Sequence, residues 1–295
     1  MRKVVLYILF LSVAIAFCAE YSRTPYSSYL MAPVSARDEA LGQAFLLLWT
    51  NPSAVDDNNN LNIGLGYRNR WGDASDNFVS LTYEKNKICV FSMCNISTIS
   101  ELEGRKFATA EPDYLFDANR ANILLGTAYR IRKDLWVGLA VRHIHERMDF
   151  ESFDANTMSG GIKYFWRNLT LGISATDYGA EDSFVEYLYP APTMYRAQGE
   201  YKWRWLSFGA AYIKPDMRNG YGSAGIEATI LDKFIGRGSY TIGLDTRNAA
   251  FGAGFRWKGF LLEYALSLYS ELGMNHFISL NYNIPLEEKK TDTSE

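Results

Sequence analysis

Two histidines one residue apart, His143 and His145, with Glu146 beside them, are the part of this chain most like a metal site. On a β-strand a spacing of two turns both imidazoles to one face, but Glu146 then points the other way and no third ligand is marked. They read as histidines at a membrane interface or a loop base. A larger set of charges, Arg68, Glu84, Arg142, Arg196, Glu200, Lys202, Glu227, Arg256 and Glu263, falls on one face of alternating segments. Such a face lines either a charge-selective pore or a narrow barrel cross-braced by ion pairs. The mixture of signs fits bracing, because charges held away from water persist when partnered. Cys89 and Cys94 are an odd number of residues apart, which puts them on opposite strand faces as small apolar residues of a wall. No Ser, His and Asp set, no carboxylate pair and no phosphate loop stands out. Gly64, Gly66, Gly252 and Gly254 alternate with apolar residues, as tight packing inside a small barrel requires. The expectation is no enzyme, no cofactor and no metal site.

The elements that carry these residues are short alternating segments, each the length of a tilted membrane strand, about ten residues. Leu61, Ile63, Leu65 and Tyr67 oppose Asn62, Gly64, Gly66 and Arg68; Phe251, Ala253, Phe255 and Trp257 oppose Gly252, Gly254, Arg256 and Lys258. One face suits lipid and the other a polar lumen. The period predicts strands over 61–70, 77–85, 87–96, 120–131, 135–147, 157–165, 169–177, 194–202, 205–214, 222–230, 234–244, 249–257, 260–269 and 276–284, fourteen in all. Tight connections near Asn86, 132–134, 166–168, 203–204, 231–233 and 258–259 alternate with longer ones, notably 97–119, 148–156, 178–193 and 215–221. Outer-membrane barrels alternate brief periplasmic turns with longer external loops in this way. Trp136, Trp166, Trp203, Trp205 and Trp257 lie beside the tight turns, which predicts one interfacial ring at the periplasmic rim.

The fold class expected is therefore all-β, a transmembrane antiparallel barrel of about fourteen strands with a short N-terminal helical or plug segment. Arg2 and Lys3, an apolar run from Val4 to Phe17 and a polar turn at Glu20 read as a cleaved secretory signal over 1–19, so the chain is exported to the outer membrane. Residues 20–60 form a periplasmic or plug segment, 61–284 the barrel and 285–295 a charged, disordered tail. Within the N-terminal segment, Ala40, Leu41, Ala44, Phe45 and Leu48 fall at helical spacing and stop at Asn51-Pro52. The helix either folds inward as a plug or closes the periplasmic mouth. A net charge of −3 supplies no field for nucleic acid, and lipid is the expected surroundings.

Ala36-Arg37, Ala40 to Phe45 (ALGQAF) and Trp49 to Ala54 (WTNPSA) resemble, in shortened form, the opening motif of PorV/PorQ-type outer-membrane proteins, which belong with the FadL-like barrels. Phe251 to Trp257 (FGAGFRW), Leu262 to Ala265 (LEYA), and Leu272-Gly273 with His276 to Tyr282 are similar to that family's closing hairpins, as are Pro190 to Pro192 with Tyr195-Arg196 to the start of one of its strands. The resemblance implies a fourteen-stranded barrel with Arg37, Ala40, Leu41, Gly42, Ala44, Phe45, Asn51 and Pro52 at its mouth. It also implies one of two functions. PorV-like members are partners of type IX secretion that engage secreted cargo or translocon subunits; FadL-like members admit hydrophobic small molecules. The charges crowding the expected lumen incline the reading to the first.

Overall fold

Inside hydrocarbon no water is present to satisfy a backbone amide, so strands can cross a membrane only in a sheet with no free edge. The computed structural model has that sheet. It describes residues 32–286, apart from 71–73, 109, 150, 180–181, 185–186, 190–192, 217, 245–246 and 270–272. The expected signal, Pro190 to Pro192, Leu272 and the tail from 287 onward lie outside the described residues.

The wall strands are β1 (Asn60–Arg70), β2 (Ala74–Lys85), β3 (Ile88–Gly104), β4 (Tyr114–Arg132), β5 (Leu135–Met148), β6 (Glu151–Trp166) and β7 (Leu169–Gly179), then β10 (Met194–Trp203), β11 (Leu206–Pro215), β12 (Tyr221–Ile230), β13 (Phe234–Ile242), β14 (Arg247–Trp257), β15 (Phe260–Tyr269) and β16 (Gly273–Pro285). Each pairs antiparallel with its sequence neighbour, and β1 pairs with β16 from Asn60↔Pro285 to Asn69↔His276, closing a barrel of fourteen strands. β8 (Asp182–Phe184) and β9 (Tyr187–Tyr189) form a separate two-stranded sheet in the β7–β10 connection. The tight turns hold left-handed backbone: Lys258 and Gly259, a two-residue hairpin turn, have φ of 45° and 88°, and Leu231 and Asp232 of the three-residue β12–β13 turn have 54° and 56°.

Alternation sorts the side chains as the period predicts. Leu65 and Tyr67 are each 49% exposed on the lipid face, while Arg68 between the faces' turns is 3% exposed inside. Two expectations need correction. Trp136 is not in the interfacial ring: Leu135 and Val137 face outward, so it points inward, fully buried, beneath Arg130 and Lys163. Residues 97–119 and 148–156 are not open loops. β3 continues to Gly104, β4 begins at Tyr114, and β5 and β6 are joined around Asp149, so the connection lengths do not alternate here. Beyond the hydrocarbon, polar side chains such as Thr98 and Asn119, which bond to each other at 3.0 Å, face water without interrupting the backbone ladder. β3 to β6 therefore stand taller than the rest of the wall.

Of the N-terminal segment, residues 33–55 lie inside the barrel. Its helix, α1, spans only Ala36–Ala40, capped by Ser35, whose side chain accepts from the Asp38 amide at 3.1 Å. The expected longer helix stops because Gly42 and Gln43 both take left-handed backbone, φ 60° and 64°. The chain from Leu41 to Val55 then crosses the lumen as turns.

Candidate functional site

The plug is built on the motif residues, and each finds a place against the wall. Arg37 pairs with Glu227 of β12, Ala40 packs beside Ala265 and Phe277, and Leu41, Ala44 and Phe45 form one buried cluster. Wall glycines let the plug come this close. A Cβ at Gly138 would overlap the backbone of Pro52 and Ser53, and one at Gly209 would overlap the Phe45 ring. Asn51 binds its own turn, accepting from the Ser53 amide at 3.0 Å, and donates to the Ile173 carbonyl of β7 at 3.3 Å. The Gln198 amide donates to the carbonyls of Gln43, 3.2 Å, and Phe45, 2.7 Å.

The sequence-predicted lumen charges face inward, but most of them serve the plug or pair with other wall residues. Arg68 bonds to Asp76, to Glu39 of α1 and to the Pro33 carbonyl; Glu200 accepts from the Leu46 amide; Glu227 joins Arg37 and Arg237; Glu263 joins Arg237. Arg142 pairs with Asp177 at 2.9 Å, and Arg196 donates to Thr176 at 2.7 Å. Glu84 faces a bay beneath the plug. Arg256 and Lys202 are exposed, and both line the wide polar mouth at the tight-turn end.

Sequence reasoning missed Glu39, Asp76, Arg237, Asp177 and Lys163. Asp76 and Arg237 carry the alternation signal: Asp76 lies two residues before inward Phe78, just outside the predicted strand, and Arg237 two after inward Ile235. Asp177 had none. The β6–β7 register shifts between Met158 and Gly160, so Thr176 and Asp177 both turn inward, Asp177 with φ 58°.

Next to this bulge the outer wall has a hollow of about 340 Å³. Ile162, Ile173, Tyr195 and Tyr212 rim it, and its centre is thin because Gly160, Ala175 and Ala197 are small. Its floor includes Gly161, whose missing Cβ leaves room for the Asn51 side chain. At that point the plug stands directly behind the membrane face of the wall.

His143 and His145 do not make a site with Glu146. Both are exposed on the outer face, bonded to Asn156 at 3.1 Å and Asp154 at 2.9 Å, while Glu146 is inside with Arg120 at 2.5 Å. Cys89 is buried inside, Cys94 lies on the other face, and both are free thiols.

A closed fourteen-stranded antiparallel barrel with an apolar outer band is a membrane-spanning barrel of the outer-membrane type. Among solved structures it is similar to a "TodX deltaS2S3 mutant monoaromatic hydrocarbon channel", with a TM-score of 0.57 and 12% identity over 85% of this chain and 99% of that one. A "TodX monoaromatic hydrocarbon channel deltaS2 mutant" gives the same TM-score and identity over 86% and 99%. No family model and no curated protein matches the chain.

Proposed function

We propose that the protein is an outer-membrane channel for hydrophobic small molecules, which leave or enter through the wall at the β6–β7–β10–β11 hollow and not along the lumen. The observation that carries this reading is the contrast between the two routes. The lumen holds a plug whose Leu41, Ala44 and Phe45 are buried against the wall, and the mouth beneath it is lined by Asn60, Asn62, Asn281, Arg237 and Arg256. An apolar solute gains nothing from that lining, and the polar groups would lose their hydration to it. The hollow is apolar and faces hydrocarbon, and the Asn51-Pro52 turn packs behind its Gly161. Most of the charges that inclined the sequence reading toward secretion are bound to the plug or to other wall residues, so they do not count against passage through the wall. The similarity to a monoaromatic hydrocarbon channel supports the same reading.

The test is uptake of a labelled monoaromatic hydrocarbon by cells that lack their own channels, with and without this protein in the outer membrane. Faster uptake with the protein is expected; equal uptake rejects the proposal.

A second reading, a binding partner in type IX-like secretion, rests on the PorV/PorQ resemblance and on the tall β3–β6 wall, which offers a protein-sized surface beyond the membrane. Co-purification of exported cargo or translocon subunits from outer-membrane extract tests it, and recovery of the barrel alone rejects it.

A further inference from the structure

The two ends of the barrel differ in charge. Each tight turn presents a cation to solvent: Lys87, Lys133, Arg167, Arg204, Lys233 and Lys258. The acids of these turns, among the described residues, are Asp134, which pairs with Arg132, and Asp232. At the opposite rim the exposed acids, Glu101, Asp113, Asp117 and Glu151 among them, are mixed with the exposed cations Arg105, Lys106, Arg147 and Arg218.

A second, independent feature fixes the depth of the cations. Trp166, Trp203, Trp205 and Trp257 face outward at the same rim, 49% to 56% exposed, and indoles favour the level of the lipid headgroups. Three of the cations lie over these rings. The Arg167 guanidinium is 6.0 Å from the Trp166 ring, that of Arg204 is 5.8 Å from Trp203, and the Lys258 ammonium is 5.1 Å from Trp257. Stacking on an interfacial indole holds each charge at the level of the phosphate layer, and Arg204 and Lys258 also border the aqueous mouth.

We propose that the tight-turn rim is a collar that binds anionic phospholipid headgroups of the adjoining leaflet in preference to zwitterionic ones. A Lys or Arg near an anionic membrane surface contributes about 1 kcal/mol, which is roughly a fivefold preference per closely held headgroup.

The full-length protein in phosphatidylcholine bilayers, probed with traces of spin-labelled phosphatidylglycerol or phosphatidylcholine, tests this. The fraction of each label immobilised at the protein is read by electron paramagnetic resonance. At low salt a preference for phosphatidylglycerol of roughly fivefold is expected, shrinking as salt screens the charges. The Arg167→Gln/Arg204→Gln/Lys258→Gln variant is expected to lose it, and Arg167→Lys/Arg204→Lys to keep it. Equal immobilisation of the two lipids, or a preference undiminished in the glutamine variant, overturns the proposal. Should that variant fail to insert, the native protein decides alone: a preference that persists unchanged at high salt overturns it.

Discussion

Arg37 and Glu227, 190 residues apart, meet in a two-pronged pair: Nε donates to Oε2 and Nη2 to Oε1, each at 3.1 Å. The pair ties the helix of the plug to the wall. Burial alone would lower the Arg37 guanidinium, but Glu227, Asp56, Glu200 and Glu263 outweigh it and hold it above its ordinary value. Glu227 is shared: Arg237 reaches it at 2.6 Å and reaches Glu263 at 2.8 Å.

This sharing ranks two substitutions. Arg37→Gln leaves Glu227 paired with Arg237, so the barrel keeps its stability and only the plug loosens, by about 2 kcal/mol for a lost charged hydrogen bond. Arg237→Gln leaves Glu227 to Arg37 but removes the only cation that reaches buried Glu263 among the described residues, leaving it the bonds from Ser279 and Asn281, and is expected to cost the barrel about 3 kcal/mol. Limited proteolysis of the plug and thermal unfolding in detergent separate the two effects. Greater loss of barrel stability from Arg37→Gln would contradict the arrangement.

Two glycines of the wall should behave in opposite ways. A Cβ at Gly138 collides with the plug backbone at Pro52 and Ser53, whereas one at Gly236 meets nothing within 4 Å. Gly138→Ala is expected to displace the plug at a cost of about 1–3 kcal/mol. Gly236→Ala is expected to stay within about 0.5 kcal/mol of the native protein. Denaturant unfolding of both variants gives the comparison, and equal effects would count against close plug contact.

Single-tryptophan variants test the assignment of faces. Headgroup-depth bromolipid is expected to quench Trp166, Trp203, Trp205 and Trp257, which are exposed, and to spare Trp136, which is buried inside. Quenching of Trp136 to the same degree would place it in the ring after all.

Asp177 holds the bulge. It pairs with Arg142 at 2.9 Å, accepts from the Thr157 hydroxyl at 3.1 Å, and its backbone amide donates to the Ser159 hydroxyl oxygen at 3.1 Å. Asn tolerates the same left-handed backbone, so Asp177→Asn removes the charge alone and strands Arg142, at an expected cost of about 3 kcal/mol. Thermal unfolding unchanged by the substitution would show that the pair contributes no net stability.

The strand count was legible because period two is local: Leu61 to Arg68 announces its two faces without reference to any other part of the chain. What was hidden depends on partners. The polar residues from Ser97 to Gly104 stay in the ladder because β4 pairs with them. The extra residue at Asp177 is absorbed by its partner strand, and that turns the side chain inward. The plug's position was open for the same reason. Ala40, Leu41 and Phe45 need an apolar surface, and only the closed wall, with Gly209 and Gly252 opposite them, determines that this surface is the lumen.

The route through the wall is tested most directly by hydrocarbon flux into vesicles holding the purified barrel, compared between two blocking variants. A Cβ at Gly160 meets only Leu139, at 3.6 Å, so Gly160→Phe fills the outer hollow without disturbing the wall; Asn62→Trp narrows the luminal bay instead. Loss of flux in Gly160→Phe with native flux in Asn62→Trp is the expected result. Native flux in Gly160→Phe and loss in Asn62→Trp would mean that the solute follows the lumen.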